Sequence, residues 1–194
     1  MARPSLSERH KAQTRREIAE SALALFARHG YERVSAEAIA AESGLSLRTF
    51  YRYFPGKDAV LSPIVTDGIQ ELVEKIAARP PRENLATAIQ RAYAEITPQQ
   101  GQVGVQLLIG LFVNVPALRS RWLDDLRSIE AALIPVIRQR ARQPLDDYQA
   151  HLTAAAAVTG LRVALEFSAQ IAATEPLADT LGTGLSYLRD GAKL

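Results

Sequence analysis

The sequence predicts an all-α protein of about nine helices, and three observations carry that expectation. Apolar residues recur every three or four positions, with no run of strand-type alternation. Proline and glycine punctuate the chain at helix-length intervals, at Gly30, Gly44, Pro80-Pro81, Pro98, Pro116, Pro144 and Pro176. Serines stand where short helices need caps, at Ser35 and Ser46.

The first helix is expected from Ser7 to His29, with Ile18, Ala22, Leu25 and Phe26 on one face and Gly30 as its stop. Ser35 caps a short helix carrying Ile39 and Ala40, which Gly44 ends. Ser46 caps a second short helix, Leu47 to Tyr53. Lys57 opens a longer helix to Arg79, with Leu61, Ile64, Val65, Gly68, Leu72 and Ile76 inward. Pro63 should kink it early. Five more helices follow, over residues 83–96, 101–114, 116–142, 145–173 and 177–190, with Pro135 a second expected kink.

Composition narrows the partners. Hydrophobic residues make up 47% of the 194, enough for a sizeable core, and there is no cysteine. The N-terminus has no signal-peptide h-region, and the longest apolar run, Val103 to Val113, is too short to span a bilayer, so a cytoplasmic protein that makes no membrane contact is expected. Charge is uneven. Residues 1–57 hold ten Lys/Arg against six Asp/Glu, and residues 58–194 thirteen against fifteen. The positive end points to a polyanion.

That end also carries helix-turn-helix spacing. Small Ala40 lets two helices cross closely, Gly44 makes the turn, and Leu45, Phe50 and Phe54 face inward. Leu47, Arg48, Thr49, Tyr51 and Tyr53 are left for the outer face, and the helix starts at Ser35, Ser46 and Lys57 offer free N–H groups to phosphates.

The stretch VSAEAIAAESGLSLRTFYRYFPGKDAVL resembles the N-terminal domain of the TetR family of transcriptional regulators. The resemblance rests on Ser35, Ile39-Ala40, Ser43-Gly44-Leu45-Ser46, Thr49-Phe50-Tyr51, Tyr53-Phe54, Lys57-Asp58 and Leu61, with Gly56 departing from the usual Ser or Asn cap. It implies a DNA-binding domain over residues 1–56 and a ligand-binding, dimerising domain over 57–194. It also implies a near-palindromic double-stranded DNA operator, a homodimer and no cofactor. Ser35 and Ala36 would meet the DNA backbone at the start of the supporting helix, and Ser46 caps the recognition helix. Leu47, Arg48 and Thr49 would meet base edges or the adjoining backbone, Tyr51 and Tyr53 would give hydroxyls to phosphate, and Lys57 would reach a phosphate. An arginine at position 48 can pair bidentately with guanine, worth about 1–3 kcal/mol of discrimination. Arg3, Arg9 and Lys11 offer further backbone or minor-groove contacts.

In the C-terminal part, Ala156, Gly160, Ala164, Ser168 and Ala172 form a ridge at four-residue spacing, and Leu177, Leu181, Leu185 and Leu188 a stripe. The family resemblance makes these two helices the dimer interface; the alternative is packing within one chain. The sixth helix, GQVGVQLLIGLFVNV, is apolar nearly all round. Candidate ligand contacts are the tyrosine of Ala92-Tyr93, Gln106, Leu107, Gly110, Asn114, Trp122, Leu126, Arg162 and Glu166. Arg162 and Glu166 fit either an i,i+4 pair or a polar handle in a cavity. A weaker resemblance, over PALRSRWLDDLRSIE and the Ala-rich helix, is to the C-terminal domain of the mycofactocin-regulator subgroup. It implies an acyl-CoA-like ligand with Arg119 and Arg121 near its head group.

No G-x-S-x-G, P-loop or H-E-x-x-H occurs, and His10, His29 and His151 lack ligand spacing, so neither an enzyme nor a metal site is expected. A helical lipid or acyl-CoA carrier is the alternative, and it leaves Arg48 to Lys57 unexplained. The reading is a ligand-responsive repressor released from DNA by a small hydrophobic effector.

Overall fold

The computed structural model of the chain describes residues 5–100, 102–170 and 177–189. Among them run α1 (Leu6–His29), α2 (Ala36–Glu42), α3 (Leu47–Tyr53), α4 (Ser62–Ala78), α5 (Leu85–Gln100), α6 (Gln102–Asn114), α7 (Pro116–Arg140), α8 (Asp147–Gln170) and α9 (Leu177–Arg189), with no strand.

α1 starts earlier than expected because Ser5 and Glu8 form a reciprocal cap. The Ser5 hydroxyl accepts from the Glu8 amide at 3.2 Å, and the Glu8 carboxylate accepts from the Ser5 amide at 2.7 Å. The helix buries Ile18, Ala19, Ala22, Leu25 and Phe26 and stops at Gly30, whose φ of 79° favours glycine.

α4 does not start at Lys57. Lys57–Ala59 form a 3-10 turn, and the α-helix begins at Ser62. Pro63 therefore lies in the first turn, where a missing N–H costs nothing, and no kink follows. α5 continues through Pro98 to Gln100, and α7 runs unbroken past Pro135 with that ring exposed.

Residues buried from Ile18 to Leu185 form one continuous core, so residues 56 and 57 mark no break in packing. α4 packs on α1, α5 and α7, while α9 lies against α5 and α8. Asp147–Ala169 has the length and composition to cross a membrane. Here it is a core helix seated on α6, α7 and α9.

Candidate functional site

The turn between α2 and α3 is built by caps. Ser35 Oγ accepts the Ala38 amide at 3.2 Å. Gly44, at φ 67°, lets its own amide reach Ala41 O at 3.0 Å and the Leu45 amide reach Ala40 O at 2.8 Å. Ser46 Oγ then accepts the Thr49 amide at 3.1 Å and lies 2.8 Å from the Thr49 hydroxyl. Phe50 and Phe54 are fully buried, their rings 5.6 Å apart, which fixes the roll of α3.

That roll leaves Arg48, Tyr51 and Arg52 exposed. Arg48 makes no hydrogen bond or ion pair among the described residues. Leu47 is half-buried against the core, Thr49 is tied to Ser46, and Tyr53 is half-buried with the Arg52 guanidinium 5.4 Å over its ring. Arg52 was not singled out from sequence; its signal was its place four residues beyond Arg48, on the same helix face. Ala36 has its methyl in the core, so only its backbone can face outward. Arg9 and Lys11 are exposed on α1, and Arg3 lies outside the described residues.

Lys57 differs most from expectation. Its Nζ donates to Tyr31 O and Val34 O, both at 2.9 Å, and sits 4.0 Å from the centre of the Tyr31 ring. The ammonium thus holds the α1–α2 turn, and two of its three N–H groups are taken up inside the protein.

An apolar cavity of about 130 Å³ lies among α4 to α8. α4 supplies Ile64, Val65, Gly68, Ile69 and Leu72 to its wall; α6 supplies Val105, Leu108, Ile109 and Phe112. Tyr93, Trp122 and Leu126 line it as expected, with Trp122 stacked on Phe112 at 5.9 Å. Gln106, Leu107, Gly110 and Asn114 do not. Gln106 and Asn114 are exposed, and Asn114 Nδ2 donates to Gly110 O at 2.8 Å. A helix apolar all round gives no contrast from which to choose its inner face. Arg162 and Glu166 also stay outside the cavity. They form an i,i+4 pair at 2.8 Å, and Arg119 reaches the same carboxylate at 3.2 Å.

The far end of α4 is held by one guanidinium. Arg140 of α7 donates to the carbonyls of Ile76 at 3.2 Å, Arg79 at 3.0 Å, Pro80 at 3.0 Å and Glu83 at 2.7 Å. Arg79 bonds Glu83 at 2.8 Å and Glu95 at 2.6 Å beside it, and that guanidinium holds the Glu83 carboxyl below the usual carboxylate range.

The last two helices divide the expected dimer residues between the core and a surface cleft. Gly160, Ala164 and Ser168 are buried within the chain, as are Leu181 at 0% exposure and Leu185 at 5%. Leu181 and Leu185 serve the seams that α9 makes with α5 and α8 within the chain. A cleft along these helices is lined by Thr159, Gly160, Val163, Ala164, Phe167, Thr183 and Tyr187, so Gly160 and Ala164 of the expected ridge form its floor, with Phe167 54% and Tyr187 53% exposed at its edge. Ala156 is exposed, while Ala172 and the side chains of Leu177 and Leu188 lie outside the described residues.

Two family models match separate segments of the chain. A family model described as bacterial regulatory proteins, tetR family, matches residues 18–63, and one described as the MftR C-terminal domain matches residues 79–193. The HTH-type transcriptional regulator TcmR of Streptomyces glaucescens is 27% identical over 152 residues, 74% of this chain and 67% of TcmR. The fold is shared with FadR of Thermus thermophilus, a transcriptional repressor in complex with lauroyl-CoA. Its TM-score is 0.60 at 23% identity, over 93% of this chain and 95% of that one. It is also shared with SmeT in complex with triclosan, at TM-score 0.61 and 19% identity over 90% of each chain.

Proposed function

The chain belongs to the TetR family of bacterial transcriptional regulators, and on that premise we propose that it is a homodimeric repressor released from a near-palindromic operator by a small apolar effector. Residues 1–56 bind DNA, and residues 57–194 bind the effector and a second copy of the chain. The observation that carries this reading is the course of α4. Five of its residues wall the apolar cavity, and its N-terminus follows directly from the recognition helix through the turn at Lys57–Ala59.

Arg48, Tyr51 and Arg52 present donors on the outer side of α3 and support base and phosphate contacts there. The exposed apolar side of α8 and α9 supports pairing with a second copy, which spaces two recognition helices for two half-sites. A cavity of about 130 Å³ is smaller than the roughly 300–1,000 Å³ of drug-sized sites, so a larger effector has to widen it. With the C-terminal end of α4 held by Arg140, widening swings the N-terminal end and moves the two recognition helices out of register. The effector then binds the DNA-free state better, and by linkage DNA weakens effector binding equally.

The apolar lining accepts an acyl chain, as lauroyl-CoA in the T. thermophilus neighbour supports, or a compact aromatic, as triclosan in SmeT supports. Neither Arg119, Arg121 nor Arg162 borders the cavity to receive a CoA head group.

Selection of operator fragments from genomic or random DNA, followed by titration at several salt concentrations, tests the regulator reading. A near-palindrome bound by two copies, with a slope that reports phosphate contacts, is the expected result. Equal affinity for selected and scrambled duplex at moderate salt would overturn it.

A further inference from the structure

The apolar cavity, itself partly open to solvent, shares a wall with a neighbouring cleft. That cleft, of about 330 Å³, lies between α1, α4 and α6, and Ile64, Gly68, Val105 and Leu108 line both spaces. One layer of residues separates them, and Gly68 adds no side chain to it. The clefts at α8–α9 and around residues 81–89 share no wall residue with the cavity. At about 130 Å³ the cavity alone is close to an engineered space of ~150 Å³ that holds one benzene. A longer effector has to extend beyond it, and the shared wall makes the cleft the adjoining space for that extension.

Four charged side chains line the cleft: Arg16, Glu20, Asp67 and Glu71. Arg16 is already engaged, with Nε on Glu20 at 3.0 Å and Nη1 on Asp67 at 2.8 Å. Glu71 is half-buried and holds no ion pair among the described residues. The nearby α6 start adds only about half a positive charge, and residues 97–103 contain no charged side chain.

On the effector reading above, we infer that this cleft is the mouth of the effector cavity and selects amphiphiles with a cationic or neutral polar end over anionic ones. An anionic head would sit among three carboxylates and compete for a guanidinium that already holds two of them. An ammonium head finds Glu71 without a counter-ion and competes with Arg16 for Asp67. That second exchange breaks the only ion pair among the described residues that ties α1–α3 to α4, so occupancy acts on the DNA-contacting half directly.

Trp122, the only tryptophan in the chain, lines the cavity and reports its occupancy without DNA. Four probes with one chain length separate the possibilities: dodecyltrimethylammonium, dodecanol, dodecanoate and lauroyl-CoA, each below its micelle concentration. Titrations of Trp122 fluorescence should show the ammonium binding at least about tenfold tighter than either anion, with dodecanol between. In the double variant Asp67→Asn/Glu71→Gln that preference should fall to about twofold or reverse, with dodecanol affinity unchanged. An anion that binds as tightly as the ammonium, or a preference that survives the double variant, overturns the charge selection alone. If dodecanol also leaves Trp122 unmoved, the effector cavity falls with it.

Discussion

α3 and α6 both present a candidate binding surface, yet they are specified in opposite ways. α3 has seven residues, a serine cap and one fully buried anchor, Phe50, so its outer side is fixed as the remainder. α6 has thirteen residues that are apolar on almost every side, and its cavity face, Val105, Leu108, Ile109 and Phe112, was chosen by what packs around it. The DNA-contacting half is determined by local chemistry at helix ends. The effector half is determined by tertiary packing of helices that each have several acceptable inner faces.

The largest expected effect separates buried from exposed positions on α8 and α9. Leu181→Asp puts a carboxylate at a position with no exposure. It should cost more than about 4 kcal/mol and abolish the cooperative thermal transition. Phe167→Asp, on the outer side of α8, should keep the helical circular dichroism and shift sedimentation to the monomer, with operator affinity falling alongside. A folded Leu181→Asp dimer would mean the leucine stripe faces a partner after all. A Phe167→Asp protein still dimeric at micromolar concentration would move the interface elsewhere.

How far sequence reading reached follows from the same contrast. Gly30, Ser35, Gly44, Ser46, Phe50 and Phe54 were legible because each acts on neighbours within a few residues. Lys57 was not, since its acceptors, Tyr31 O and Val34 O, lie 26 and 23 residues earlier. Arg140 was missed for the same reason: its four carbonyls are 57 to 64 residues away. Trp122 and Leu126 stand on an apolar stripe of α7, a pattern that suits the core as well as a cavity wall, and the packing around them decides for the wall. Gln106 and Asn114 were misplaced because polar interruptions on an apolar helix mark an exposed side as readily as a binding one.

Arg140 and Lys57 make parallel use of a cation, one in each half, to satisfy backbone carbonyls at helix ends and turns. Arg140→Met should cost about 3 kcal/mol, lowering Tm by about 6–12 °C, because four carbonyls lose one charged donor. Operator affinity should change less than effector response, since the held end of α4 is what turns cavity filling into movement. An unchanged melting temperature would remove Arg140 from this role.

The Lys57 clamp is smaller, and it can be set directly against Arg48. Lys57→Ala should destabilise the N-terminal half by about 2 kcal/mol while leaving the salt slope of DNA binding unchanged. Arg48→Ala should leave stability alone and relax base preference at one position per half-site, by about 1–3 kcal/mol. A slope reduced by about one unit per half-site in Lys57→Ala would return that residue to a phosphate contact.

The smallest expected effect belongs to Asp125 on α7, whose Oδ2 is buried without a hydrogen-bond partner among the described residues. Burial raises its pKa above the ordinary value, and Arg121 only partly opposes this. The folded state therefore holds that proton more tightly than the unfolded chain does. The cost of the charged carboxylate is full above the folded pKa and is relieved as pH falls through it toward the ordinary carboxylate range. Asp125→Asn should raise stability at neutral pH by under about 1 kcal/mol, because half-exposure screens the penalty. The advantage should shrink as the pH is lowered and vanish once Asp125 is protonated in both states. Melting temperatures of both proteins across that range decide it. Curves that stay parallel at every pH would show that the buried oxygen is solvated and that Asp125 carries no such penalty.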